Sequence, residues 1–169
     1  MGSHFAYRGP YSDADEPTII GRLQLHTGVI AVDTETVNTN DYTCIGIGLY
    51  IGDNEGFYFR VFPEPSPYLP QVMGLLGDDR VTKVYHNGQD FDLEVLDRLA
   101  WEEGYDAPDD VNYQDTELMG KVAGLPGGLQ RIGEQWLGAT DLFSIKDLFE
   151  EHHTTNMLDV PWGRVAEKC

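Results

Sequence analysis

The chain has 169 residues, 41% of them from the set Ala, Val, Ile, Leu, Met, Phe, Trp, Tyr and Cys, with 19 glycines and 9 prolines. That balance fits one globular domain of ordinary size and excludes disordered, collagen-like and coiled-coil readings. Lys and Arg number 11 against 29 Asp and Glu, a net charge of −18, so any contact with a polyanion must be local or bridged by cations.

No uncharged apolar run approaches the roughly 18 residues that a membrane span needs, and no basic segment followed by an apolar core opens the chain. The expectation is a protein with no membrane partner, acting inside the cell as a cytoplasmic bacterial, archaeal or viral protein. Cys44 lies within an apolar run and Cys169 ends the chain, which makes neither a disulfide framework nor a zinc site. A reducing compartment follows.

Residues 1–27 read as a lead-in, with Met1-Gly2-Ser3-His4 as a cloning remnant, and the organised domain is expected over 28–169. Val29-Ile30-Ala31-Val32, bounded by Gly28 and by polar residues, suits a short strand buried on both faces. Thr43 to Ile51 and Gly56 to Phe62 read as two more strands around a hairpin loop at Gly52-Asp53-Asn54-Glu55. Pro63, Pro65, Pro67 and Pro70 stop the sheet, and Leu69 to Leu76 forms a short helix.

Val81 to Tyr85 is a fourth strand, and Phe91 to Trp101 a helix with its inward stripe at Val95, Leu96 and Leu99. Val111 to Tyr113 suggests a fifth strand. Asp115 stands where a helix N-cap belongs, ahead of Leu118, Met119 and Val122, with Gly124 and Pro126 as stops. Leu129, Ile132, Trp136 and Leu137 make another amphipathic face closed by Gly138, with Trp136 and Trp162 expected in the core. Ser144 to Glu150 and Trp162 to Cys169 suggest two final helical pieces. Strands joined by tight turns, then strands alternating with helices, indicate an α/β fold with a mixed sheet covered by helices.

The chemistry concentrates at Asp33-Thr34-Glu35-Thr36. Strand residues two apart share a face, so Asp33 and Glu35 point the same way at the end of a buried run. Two such anions are tolerable if exposed, if one is protonated, or if a cation sits between them. In His86-Asn87-Gly88-Gln89-Asp90-Phe91-Asp92, counting back from the Val95, Leu96 and Leu99 stripe reaches Asp92, which therefore begins the packed face of its helix. A third carboxylate converging on the first two needs a cation, since like charges at about 4 Å cost roughly 4 kcal/mol at an effective dielectric near 20. Oxygen-only ligands favour magnesium or manganese over zinc.

Asp33-Thr34-Glu35-Thr36 resembles the first motif of the DEDD 3′-5′ exonucleases, and Asn87-Gly88-Gln89-Asp90-Phe91-Asp92 resembles their second. Asp115-Thr116, followed by Gly128-Leu129 through Leu137-Gly138, is similar to stretches of the proofreading domains of family A DNA polymerases. The resemblance covers about residues 28–169. It implies an RNase H-like fold with a mixed five-stranded sheet, and two-metal hydrolysis of DNA 3′ ends, single-stranded or frayed, beside a polymerase module C-terminal to this chain. Carried over, Asp33 bridges two Mg2+ or Mn2+ ions, Glu35 binds the ion that activates water, and Asp92 holds the second ion largely through water. Asn87 and Phe91 shape the pocket for the terminal nucleotide, and Thr34 and Thr36 contact its sugar or phosphate.

The family's third motif, Tyr or His then three residues then Asp, is only approached by Arg164 to Cys169, with Lys168 in the aromatic position. Its aspartate falls three residues beyond Cys169, with Asp159 and Glu167 as possible stand-ins, so this polypeptide is expected to be weak or inactive alone. A catalytically dead scaffold of the same fold and an RNase D-like exoribonuclease are the alternatives. The adjacent His152 and His153 point in different directions and read as no metal site.

Overall fold

The computed structural model describes residues 16–38, 40–52, 56–106, 108, 112–125, 127–138, 144–161 and 163–165. The cloning remnant at 1–4, the hairpin loop at 53–55, Val111, Pro126, Trp162 and the third-motif approach at 166–169 lie outside these residues. Among the described residues no helix is long and apolar enough to cross a membrane.

Five strands form one sheet in the order β3-β2-β1-β4-β5: β1 (Val29–Asn38), β2 (Asp41–Tyr50), β3 (Gly56–Arg60), β4 (Thr82–Tyr85) and β5 (Tyr113–Asp115). β1 is antiparallel to β2 and parallel to β4, β2 is antiparallel to β3, and β4 is parallel to β5. The mixed sheet expected from the alternation of elements is therefore present.

β1 departs from its expectation in two ways. It is not buried on both faces: Ile30 and Val32 are buried while Val29 is 57% exposed, the alternation of a strand with one deeply packed face. It also runs on through Asp33 to Asn38, because β2 pairs with it as far as Asn38 and Asp41. The register slips between Glu35, opposite Gly46, and Thr36, opposite Cys44. Ile45 is the extra residue of this bulge, and its carbonyl accepts from the Val61 and Phe62 N–H groups.

The deeply packed face carries Ile30 and Val32 from β1, Ile47 and Leu49 from β2, and Phe57 and Phe59 from β3. Against it pack α2 (Leu69–Leu76), at the bounds the sequence suggests, and α3 (Asp92–Glu103) through Val95, Leu96, Leu99 and Ala100. Ordered structure begins before Gly28: α1 (Glu16–Gln24) lies inside the expected lead-in and contributes Ile19, Ile20 and Leu23 to this core. A three-residue apolar spacing in a nine-residue helix is a weak periodic signal, which is why the sequence alone passes over it.

The other face is covered by α6 (Ile145–His152) and the single turn Met157–Asp159. Leu148, Met157, Val160 and Val165 gather there with Ile45, which the bulge turns toward this second cluster. A capping box starts α6: the Ser144 hydroxyl accepts from the Asp147 N–H, and the Asp147 carboxylate accepts from the Ser144 N–H.

α4 (Thr116–Val122) and α5 (Leu129–Ile132), the latter continuing as a π-turn over Gly133–Leu137, correct another expectation. Val122 is 90% and Trp136 63% exposed, and Leu118, Met119 and Leu129 are exposed as well. These short helices meet each other where Gly120 faces the Ile132 side chain.

Gly46 illustrates how the second face is packed. A Cβ there would collide with the Tyr58 hydroxyl, which crosses over the glycine from β3. Gly46→Ala should therefore lower the unfolding free energy by about 1–3 kcal/mol in urea titration, and the cost should shrink in a Tyr58→Ala background.

Candidate active site

Asp33 and Glu35 sit within β1 and, by strand alternation, share the face that α6 covers. Their cross-strand partners are Gly48 and Gly46, so no side chain from β2 stands beside either carboxylate. Asp33 is half-buried and Glu35 only 2% exposed. A carboxylate that has lost its water needs compensation, which makes this glycine-lined stretch of strand unlike an ordinary solvated strand end.

A cavity of about 80 Å³ opens against this segment. Asp33, Thr34, Glu35, Thr36 and Asn38 border it from β1, Phe91 from the turn before α3, and Ile145, Phe149 and Met157 from the cover. One water takes up about 10–15 Å³ of such space, so the cavity has room for several waters or a hydrated ion. Phe91 also packs against Tyr42, with ring centroids 5.5 Å apart.

Asp92 reaches β1 from the opposite side. Its Oδ1 accepts from both the Thr34 backbone N–H and the Thr34 hydroxyl, each at 2.8 Å. β4 pairs with β1 only as far as Ala31 and Val84, so the Thr34 N–H lies past the end of that ladder and finds its acceptor in the first turn of α3. Thr34 and Asp92 are each 3% exposed. Hydrogen bonds to a charged group are worth about 1.5–3 kcal/mol each, so the pair of donors fixes the position of the carboxylate.

Cys44 senses two of these carboxylates. Burial pushes its thiol up to about 12, and the charges of Glu35 and Asp92 push in the same direction. The thiol therefore stays protonated and is no nucleophile near neutral pH.

The turn between β4 and α3 is held by Asp115. Its carboxylate caps α4 by accepting from the Glu117 and Leu118 N–H groups, and reaches across to the Asn87 and Gln89 N–H groups. Burial raises its pKa, but the four backbone donors outweigh that and hold it below the ordinary carboxylate value. Asn87 adopts a left-handed conformation at φ 62°, and Gly88 lies so close to the Tyr85 ring that a side chain there would clash. The Thr116 hydroxyl donates to the Tyr85 carbonyl, so His86 Nδ1, 3.0 Å from that hydroxyl, must be its donor.

The structure thus brings Asp33, Glu35, Thr34, Thr36 and Phe91 to one cavity and ties Asp92 to its wall through Thr34. Asn87 stands apart from the lining, its N–H committed to Asp115. The Thr36 hydroxyl donates to the Asn38 carbonyl at 3.0 Å. Asp159 is exposed and accepts from Thr154, while Glu167 and Lys168 lie outside the described residues. Sequence reading missed Asn38, Ile145, Phe149 and Met157, although the apolar pair Ile145 and Phe149 at helical spacing marks a buried face.

Among the described residues no group of three or more His, Cys, Asp or Glu side chains is gathered as a metal cage. The Asp33 and Glu35 pair does fit a magnesium-type ion, which characteristically takes one or two carboxylates and fills its remaining positions with water and substrate phosphate. The all-oxygen donor set has the same preference.

A family model described as 3′-5′ exonuclease matches residues 7–157. Among solved structures, Escherichia coli RNase D, an exoribonuclease involved in structured RNA processing, is similar at 24% identity and a TM-score of 0.58, over 76% of this chain and 32% of its own. Trypanosoma brucei RNase D is similar at 14% identity and a TM-score of 0.60, over 92% of this chain and 59% of its own. Brucella melitensis NrnC with bound Mg2+ is similar at 21% identity and a TM-score of 0.51, over 82% and 69%. These likenesses are of fold, and with the sheet order they establish the RNase H-like exonuclease architecture. The chain spans about a third of the length of the E. coli protein. No curated protein matches it.

Asp115→Ala should cost about 1–2 kcal/mol as a lost cap, and more where the Asn87 and Gln89 N–H groups stay dry. Because its folded pKa lies below the unfolded value of 3.8, the carboxylate's contribution is complete above about pH 4 and disappears as pH falls through the folded value. Urea titrations of both proteins between about pH 3 and 7 should show their difference narrowing toward the acid end.

Proposed function

The chain belongs to the 3′-5′ exonuclease family, and from that membership we propose that it is a metal-dependent hydrolase releasing nucleotides from nucleic-acid 3′ ends, with Asp33, Glu35 and Asp92 as its working carboxylates. The observation that carries this reading is the meeting of strand and helix. Two acidic residues border one cavity from β1, and the threonine between them holds the carboxylate that opens α3.

In this reading Asp33 and Glu35 hold the divalent ion, Mg2+ or Mn2+, and Asp92 serves a second ion through water. Bound there, such ions supply Lewis acidity toward the phosphate and make water a competent nucleophile near neutral pH. They also answer the charge problem, since a chain of net charge −18 repels a phosphodiester until cations intervene. Gly46 and Gly48 place no β2 side chain beside the carboxylates, and the Tyr58 side chain from β3 crosses over Gly46 next to Glu35. Phe91, backed by Tyr42, offers an aromatic surface on which a terminal base can stack.

The substrate class is a nucleic-acid 3′ end, single-stranded or frayed. Support for DNA comes from Asp115-Thr116 and the Gly128 to Gly138 stretch, similar to polymerase proofreading domains, and a C-terminal polymerase module belongs to that reading alone. An RNA substrate is favoured by the likeness in fold to RNase D and NrnC, one NrnC structure being bound to pGG.

Matched 5′-labelled DNA and RNA oligonucleotides, incubated with the chain and Mg2+ or Mn2+, test the proposal. Stepwise shortening from the 3′ end is expected, abolished by chelation and reduced at least about a hundredfold by Asp33→Ala or Asp92→Ala. Full activity in either variant contradicts the site, and a chain that shortens neither polymer and binds no manganese selects the scaffold reading. The faster-shortened polymer identifies the preferred sugar.

A further inference from the structure

We propose that Thr34 is a positioning residue for Asp92 and not a substrate contact. The inference rests on the exonuclease reading and deepens it at the same site. Thr34 sits between Asp33 and Glu35 in the strand, so alternation sends its side chain to the opposite face from theirs. There its hydroxyl and its N–H both donate to Asp92 Oδ1 at 2.8 Å. A threonine hydroxyl has one proton, and here that proton is committed within the protein.

Two donors from one residue on one oxygen act as a clamp that fixes the carboxylate in position. Both residues are almost fully buried, so little water competes for these bonds. Apolar packing of Val95, Leu96 and Leu99 brings α3 to the sheet but sets no carboxylate angle. Thr34 supplies that setting, so the acidic pair on β1 and the acid on α3 share one reference point in the strand.

The test compares Thr34→Val, which keeps shape and N–H but deletes the hydroxyl, with Thr34→Ser, which keeps both donors. Manganese affinity by calorimetry, melting temperature, kcat and KM are measured on the whole chain, with Asp33→Ala and Asp92→Ala as references. Thr34→Val is expected to lose about tenfold in manganese affinity and in kcat with KM within about twofold of the original, and Thr34→Ser to restore both. A raised KM with unchanged manganese affinity would show a substrate contact and overturn the proposal. So would a lowered melting temperature with unchanged affinity and kcat, the mark of a purely structural hydroxyl. If Asp33→Ala loses manganese while Thr34→Val does not, only the positioning role fails. If Asp33→Ala and Asp92→Ala both bind manganese like the original chain, the site reading fails and this inference with it.

Discussion

Both donors of Thr34 converge on one oxygen of Asp92, and this contact joins the central strand to the opening turn of α3 at the place where negative charge is most concentrated. Without it, β1 would present an N–H with no ladder partner past Val84, and the buried carboxylate that opens α3 would lose two donors. With it, each group answers the other's need. The cavity, the adjoining aromatic pair and the bulge are arranged around that join.

Accumulated negative charge is the cost of such an arrangement. Asp33 and Glu35 lie two residues apart on one face, Glu35 is nearly dry, and the thiol of Cys44 registers Glu35 and Asp92 together. Interiors tolerate such groups when hydrogen bonds or cations balance them. The small cavity beside the pair leaves space for the second kind of balance, and Asp115 shows the first kind, one carboxylate shared among four backbone donors.

Legibility in the sequence followed local physics. Proline punctuation and a run of Leu, Val and Met marked α2 to the residue, the count back from Val95 placed Asp92 on the packed face, and Asp115 capped its helix as its residue type suggests. What stayed hidden depends on partners distant in the chain. β1 extends to Asn38 because β2 supplies hydrogen bonds along it, the bulge at Ile45 exists only in that pairing, and α1 is secured by a core assembled from much later residues. Trp136 and Val122 look like core by type and spacing, yet helices this short have no third layer over them among the described residues. At the site, Asp-x-Glu was readable, while the clamp by the intervening threonine was not, because it joins residues 58 apart.

The central claim is that the acidic segment of β1 is a cation site. Crystals of the chain grown with manganese and recorded at a wavelength where manganese scatters anomalously address it directly. The account expects an anomalous peak at coordination distance from the Asp33 and Glu35 carboxylates, with Asp92 still held by Thr34. A fully ordered Asp33 and Glu35 with no peak beside them, while manganese occupies other carboxylates of the same molecule, would contradict it.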